Sequence, residues 1–378
     1  MSGPNSLTAL DEATALLLAG IAAVAPSSLP LGEAIGCVLA APLQATAPAP
    51  PCPVARWDGW AINAADTLGA GPYAPAVLPM PPLLLQPGAP LPPGTDAVLP
   101  LADLVRDGPF AQVLDAVAPG TGVRAPGEDA AAGTLLRAAG ERLSALDLPV
   151  LAALGVTEVA VRRPRLGWLA IGDEILADGA RDTLFVTCAA LAQAAGAALA
   201  RLPPAPDDAA AIAEALRSGA EGCDLLLAVG GTGAGARDLT AAGLREAGRL
   251  AVHGIGARPG TTAGFGEVAG RPVILLPGTP GDALAAWLLL VRPALAVLTG
   301  AAPAPPWRAR LARKVTSTVG LVELAPLRRL ADGRVEPLAA GALPLHALAS
   351  GAVLILPAAS EGAEAGGEIS MTFFRPDP

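Results

Sequence analysis

The sequence predicts an α/β multidomain protein: a central doubly wound, mostly parallel sheet domain with a helical linker domain and two small β-rich domains. Three observations predict it. From residue 166 onward, strand-length apolar runs alternate with helix-length stretches. Residues 44–127 carry short apolar runs separated by Pro-Gly and Gly-Thr turns. Residues 302–378 carry short alternating runs behind a Pro/Ala linker. The expected boundaries are 1–43 with 128–164 for the helical linker domain, 44–127 for the inserted β-rich domain, 165–301 for the α/β domain and 302–378 for a C-terminal β-barrel-like domain.

In chain order, residues 6–25 read as an opening helix, with Ser6 or Thr8 as cap, Asp11 and Glu12 in its first turn, and Leu7, Leu10 and Leu17 on one side. Residues 31–39 form a second helical piece, and the Pro/Ala-rich passage 42–53 is extended or looped. Residues 57–66 are a compact unit, followed by strand candidates at 76–78, 83–85, 97–99 and 112–117. Residues 130–154 turn helical, 157–161 form a strand, and 162–165 are a basic, proline-broken boundary. Strands then fall at 166–171, 225–229 and 273–276, with helices at 189–200, 209–218, 239–247 and 282–298. Residues 301–306 are the linker, and 352–356 and 369–374 are strands of the last domain. In parallel α/β sheets, ligands meet the carboxyl ends of the strands. Those ends here carry Gly172-Asp-Glu174, residues 230–238 and residues 277–282.

A chain of 378 residues exceeds one ordinary core and suits roughly two to four domains. With 52% hydrophobic and 16% charged residues it can bury sizeable cores and is not a disordered polymer. The net charge is −9 and Lys314 is the sole lysine, so there is no basic face for nucleic acid. Asp11 and Glu12 precede the first apolar stretch, which has no basic n-region and is no signal peptide. The longest uninterrupted apolar run, 283–291, is too short to cross a bilayer. Cys37, Cys52, Cys188 and Cys223 are far apart, which favours a reduced, cytoplasmic setting over disulfides or a metal knot. His253 and His346 are too distant to suggest a histidine metal site or a triad.

The most informative stretch is Leu225 to Asp238, where an apolar strand runs into Gly230, Gly231, Gly233 and Gly235 ahead of a helix. Glycines let a ligand approach the main chain, and exposed N–H groups at a helix start cradle anions. The spacing fits neither the dinucleotide fingerprint nor the P-loop, so the alternative is a ligand-free βα turn. Asp238 is either an N-cap or a ligand for a cation that accompanies the anion. Asp173 suits an N-cap, while Glu174 either lies idle or holds Mg²⁺ or a water. Arg124-Ala-Pro-Gly-Glu128-Asp129 is either a capped turn with a surface ion pair or an oxyanion grip whose acids manage protons or a metal. Asp58, between Trp57 and Trp60, is either a turn residue or a partly desolvated acid. Arg258-Pro-Gly260 is a turn or an anion contact.

Taken in order, these segments resemble the molybdopterin molybdenumtransferase family, that is, bacterial MoeA and the gephyrin E domain, over nearly the whole chain. Residues 31–40 resemble the family's "LxxAlGRVLA", Asp58-Gly-Trp-Ala its "DGYA", Pro93-Gly-Thr-Asp-Ala-Val98 its "xGxDAVV", and 124–129 its "RxxGED". Gly172-Asp-Glu174 matches "TGDE", 230–238 is similar to "GGVSVGDYD", 254–266 to the "KPGKPxxFG" region, and Leu276-Pro277-Gly278-Thr279-Pro280 with 291–295 to "LPGNPVSA…VRPAL". The resemblance implies an enzyme that inserts molybdate into adenylylated molybdopterin and releases AMP, assisted by Mg²⁺. It implies an elongated homodimer of four-domain subunits, with the site between the α/β domain of one subunit and the β-rich domain of the other. Molybdoenzymes or cofactor-synthesis proteins are the partner class it admits. Glu174 and Asp238 are then the Mg²⁺ residues. The glycine loop, Gly260 and Pro277-Gly278-Thr279 bind the pterin side, and Arg124 and Arg258 meet anionic oxygens. Asp58, Glu128 and Asp129 orient water, protons or metal.

The chain departs from the family pattern at several of these positions. The family's "FDNSAM" is replaced by 52–57, the first Asp of "GDYD" is Ala236, and the "KPGKP" lysines are Arg258 and Thr261. The "PGNP" Asn is Thr279, the following Ser is Asp282, the Thr of "TGDE" is Ile171, and the family's later Asp/Asn pair falls near Phe185 and Thr187. A lost lysine and an added carboxylate weaken the hold on a tetrahedral dianion. The rival expectation is therefore a catalytically impaired pterin- or nucleotide-binding paralogue that serves as carrier or regulator.

Overall fold

Short apolar runs become a six-stranded sheet of β1 (Arg165–Ala170), β2 (Ala198–Arg201), β3 (Leu225–Val229), β4 (Arg249–His253), β5 (Gly264–Val268) and β6 (Arg271–Leu276). Their order is β2–β1–β3–β6–β5–β4. The pairs β2–β1, β1–β3 and β3–β6 are parallel, whereas β6–β5 and β5–β4 are antiparallel. The computed structural model describes residues 7–107 and 110–375. The sheet belongs to a unit of Met1–Ala41, Ala139–Leu143 and Ala160–Pro378, and a second unit comprises Pro42–Ala138 and Ser144–Val159.

The period-two alternation of the strands divides the first unit's core into two layers. Leu166, Trp168, Leu225, Leu227, Ile274 and Leu276 pack on one side, with helix α1 (Leu184–Ala194) and helix α4 (Pro280–Thr299). Leu169, Ile171, Leu226, Ala228, Val273 and Leu275 pack on the other, with α2 (Ala209–Ala220) and α3 (Thr240–Ala247). Each fully buried Leu or Trp contributes about 1.5–3 kcal/mol by leaving water. α4 is 20 residues long and apolar enough to cross a membrane by length and composition, but 67% of its apolar window is buried here. Its middle, Trp287–Val291, is π-helical just before Pro293, whose missing N–H and ring disturb the regular ladder.

The same unit carries a C-terminal antiparallel sheet in which Val322–Arg329 pairs with Ala352–Leu356 and Trp307–Arg310 with Glu368–Phe373. The second unit is built from small antiparallel sheets. Gly59–Ile62 lies between Leu83–Leu85 and Ala97–Pro100, and Phe110–Val113 lies between Ala76–Val77 and Leu104–Asp107. Its core holds Ile62, Leu78, Leu99 and Val113, with Ala61, Leu85 and Val98 in a second cluster.

Several expected elements change. The opening helix is Leu10–Ala19, and Gly20 ends it. Ser6 lies outside the described residues. Thr8 does not cap the helix, because its N–H donates to the Gly254 carbonyl (3.0 Å) and its carbonyl accepts from Gly256 (2.7 Å). The second helical piece is one turn, Leu31–Ala34, and Val38–Leu39 is a strand paired with Val161 and Arg162. Residues 130–154 are not one helix: Gly133 and Gly140 take positive φ, Leu135–Arg137 is a strand, and only Leu148–Ala153 is α-helical. The expected helix at 189–200 ends at Ala194, and Ala198–Arg201 becomes the edge strand β2, so tertiary pairing overrides alanine's helix propensity.

Candidate functional site

The parallel strands β1, β3 and β6 end at one edge of the sheet, and their loops touch. Ile171 N–H donates to the Val229 carbonyl (2.8 Å), and Gly230 N–H donates to the Leu276 carbonyl (3.0 Å). At Gly230, φ is +104°, and a Cβ there would sit 2.5 Å from the Ile171 carbonyl oxygen. A Cβ at Gly278 would lie 3.5 Å from the Gly230 Cα. Thus Gly172-Asp-Glu174, the glycine loop and Pro277-Gly278-Thr279 form one continuous rim. Glu174 is exposed in the first turn of the short helix Asp173–Ala177, and its carboxylate folds back over Gly172. Asp173 is the first residue of that turn and not its cap; it accepts from Asp207 N–H at 3.3 Å.

The glycine loop is held by its own polar atoms. Asp238 does not cap α3, whose N-cap is Leu239 without a side-chain bond. Its Oδ2 instead accepts from Gly235 N–H at 2.6 Å, which closes the loop tip. Oδ2 also lies close to where side chains at Gly233 and Gly235 would begin. Thr240 Oγ1 donates to the Gly230 carbonyl (2.6 Å) from a fully buried position, and its N–H donates to the Gly231 carbonyl (3.0 Å). Thr232 is buried, shares a 3.0 Å hydrogen bond with Thr262, and its carbonyl accepts from His253 Nε2 at 2.9 Å. Thr232 and Thr262 sit within segments singled out in the sequence but drew no role there, and His253 was not placed at the site because its strand, β4, was not expected.

A second loop joins the rim through Asp282. Its carboxylate accepts from Gly260 N–H (2.8 Å) and from the Thr279 hydroxyl (2.5 Å). Gly260 and Thr279, expected on the pterin side, thus donate to the chain's own acid. Arg258, at the start of a cis Arg258–Pro259 bond, pairs with the buried Glu323 and donates to Thr318 Oγ1 at 2.9 Å. Phe185 packs edge-on to Trp168 and lies under the Arg201 guanidinium (4.2 Å). Asp182, unremarked in the sequence, accepts from Trp168 Nε1 at 3.0 Å and pairs with Arg201 at 3.4 Å.

In the second unit, Arg124 lies on the strand Val123–Arg124 and pairs with Asp129. Arg56 pairs with Glu128 at 2.6 Å, and Ala125 N–H donates to the same carboxylate at 3.0 Å. The Arg56 hydrogen bond, followed by that amide, holds the Glu128 carboxyl below its ordinary value. No helix follows Asp129, so an N-cap role there lapses. Asp58 is exposed and, among the described residues, has no hydrogen-bonding partner, so the expected desolvation between two indoles is absent. All four cysteines are free thiols, and burial pushes Cys188 up to about 12.

Among the described residues no group of three or more His, Cys, Asp or Glu converges as a metal cage. Mg²⁺ beside phosphate uses one or two carboxylates together with ligand oxygens. The exposed Glu174 carboxylate and Oδ1 of Asp238, which has no hydrogen bond among the described residues, are donors of that kind.

Fold and rim together define the class of α/β proteins that meet a ligand with a glycine-rich loop at the carboxyl edge of a parallel sheet. Two family models match the chain: the "MoeA N-terminal region (domain I and II)" over residues 8–155, and the "Probable molybdopterin binding domain" over 167–297. The chain belongs to the molybdopterin molybdenumtransferase family. It is 31% identical to molybdopterin molybdenumtransferase 2 of Mycobacterium tuberculosis, over 73% of this chain and 76% of that protein. It is 28% identical to the molybdopterin molybdenumtransferase of Synechococcus elongatus, over 94% and 97%. The crystal structure of the molybdopterin biosynthesis moeA protein from Pyrococcus horikoshii OT3 superposes with a TM-score of 0.72 at 27% identity, covering 97% of this chain and 100% of that one.

Proposed function

We propose that the rim holds adenylylated molybdopterin while molybdate is inserted between the dithiolene sulfurs and AMP is released. Family membership makes the chain a transferase of molybdenum cofactor biosynthesis, with molybdopterin and molybdate as substrates. The observation that carries the reading at this rim is the contact of Gly230 with both the Ile171 carbonyl and Gly278. It gives three loops one ligand face at the end of parallel strands.

In this reading the Gly230–Gly231–Gly233–Gly235 loop lies along the phosphate, and Pro277, Gly278, Thr279 and Gly260 line the pterin side. Glu174 and Asp238 would hold Mg²⁺, which neutralises phosphate charge when bound. The chain's own share is positioning and fixed polarity, since the dithiolene and the metal substrate make the new bonds. Asp58, Arg124, Glu128 and Asp129 belong to the proposal as groups that orient water or protons. The four domains expected from the sequence, a cytoplasmic location, a homodimeric state and partner proteins from cofactor synthesis belong to it as well. Light scattering tests the dimer.

The decisive assay is AMP release from adenylylated molybdopterin by the full chain, with and without molybdate and Mg²⁺. Release that requires both is the expected result. Tight pterin binding with no AMP release under any condition would overturn the transferase reading at this rim.

A further inference from the structure

We infer that Arg237 is the guanidinium that grips the phosphate oxygens of the ligand's nucleotide half. The inference rests on the rim being the phosphate site, and it assigns to this residue what the sequence assigned to Arg124 and Arg258.

An anion entering a chain of net charge −9 needs a local cation. The arginines expected to supply it are both committed: Arg124 pairs with Asp129, and Arg258 pairs with Glu323 while donating to Thr318. The sole lysine, Lys314, pairs with Glu364 at 2.6 Å. The loop's backbone is also partly committed, because Gly235 N–H already serves Asp238. Arg237 stands apart. It is exposed, lies within the glycine loop, and has no ion pair or side-chain hydrogen bond among the described residues. The main chain that carries it is fixed all the same. Asp238 N–H donates to the Gly235 carbonyl (3.0 Å) in a turn in which Arg237 is the third residue, and Leu239 N–H donates to the Arg237 carbonyl (3.0 Å). Its sequence neighbour Asp238 is turned to the Gly235 amide. A guanidinium on a pinned turn offers a planar fork that matches two phosphate oxygens, as a lysine's point charge does not.

The test uses the full chain and isothermal titration with AMP, with adenosine as the ligand lacking phosphate. Arg237→Gln is expected to weaken AMP binding by about 10- to 100-fold, the range for a hydrogen bond to a charged group. Adenosine affinity should stay as in the wild type, and Arg237→Lys should recover part of the loss. Arg245→Gln, an exposed position on α3 outside the rim, should bind AMP normally. Matching thermal melts exclude a folding defect. Wild-type AMP affinity in Arg237→Gln overturns the assignment and leaves the rim intact. An equal loss for AMP and adenosine also overturns it, because the effect is then not on the phosphate. A wild-type chain that binds neither AMP nor inorganic phosphate overturns the rim reading itself, and this inference with it.

Discussion

A carboxylate beside an amide N–H is an internal anion, and Asp282 is one where the Gly260 loop joins the rim. It takes the Gly260 amide and the Thr279 hydroxyl, two donors suited to an oxyanion. The substitution Asp282→Ser removes the charge and frees both donors, and a serine at this place is what the family pattern carries. The KM for molybdate is expected to fall about tenfold, the effect of a charge-assisted hydrogen bond. An unchanged KM would show that molybdate does not approach this loop. Glu128 gives a titration test in the second unit. Arg56 is the main cause of its lowered pKa, so Arg56→Ala is expected to bring the carboxyl back toward 4.5 in an NMR titration. The sign is set by linkage. A depressed carboxyl stabilises the fold above its ordinary pKa and loses that contribution as pH falls through the lower, folded value. Acid sensitivity below 4.5 should therefore shrink in Glu128→Gln.

At the scale of elements, the rim depends on how closely strand ends approach. Gly230→Ala places a methyl group 2.5 Å from the Ile171 carbonyl at a φ of +104°. Backbone strain of this kind costs about 1–3 kcal/mol. The variant should melt lower and lose ligand affinity, whereas Gly270→Ala, with open space around it but a φ of +75°, should lose stability alone. Equal ligand affinity in Gly230→Ala and wild type would mean that the loop contact does not shape the site. The parallel strands behind this rim were legible because β3 and β6 are near-continuous apolar runs, buried on both faces. The edge strand Ala198–Arg201 was not, since its alanines favour helix and only pairing with β1 makes it extended. β5 escaped because Gly264 and Gly266 dilute its apolar pattern, and β4 because Arg249 and His253 leave it only a three-residue apolar run. The helix expected over 130–154 failed where glycines at positive φ turn the chain, which composition alone does not reveal.

For the whole molecule, residue type was legible but the pairing of charges was not. Arg258 and Glu323 are 65 positions apart, and Arg56 and Glu128 are 72 apart. No local pattern announces such partners, so Arg258, read as a turn or an anion contact, turns out to be paired with a distant carboxylate. The surplus that remains is negative, with a net charge of −9. A field of that sign repels a phosphorylated ligand at long range, and salt screens it within about 8–10 Å at physiological strength. The association rate of AMP should therefore rise as ionic strength is raised from about 0.01 to 0.15 M, where the Debye length falls from about 30 to 8 Å. Its dissociation rate should rise too, because the short-range hold of Arg237 is weakened by the same ions. Adenosine should show neither change. Stopped-flow measurements separate the two rates. An association rate that falls with salt would mean that the rim presents a positive face to incoming ligand, and that the approach is governed by local arginines instead of the acidic surface around them.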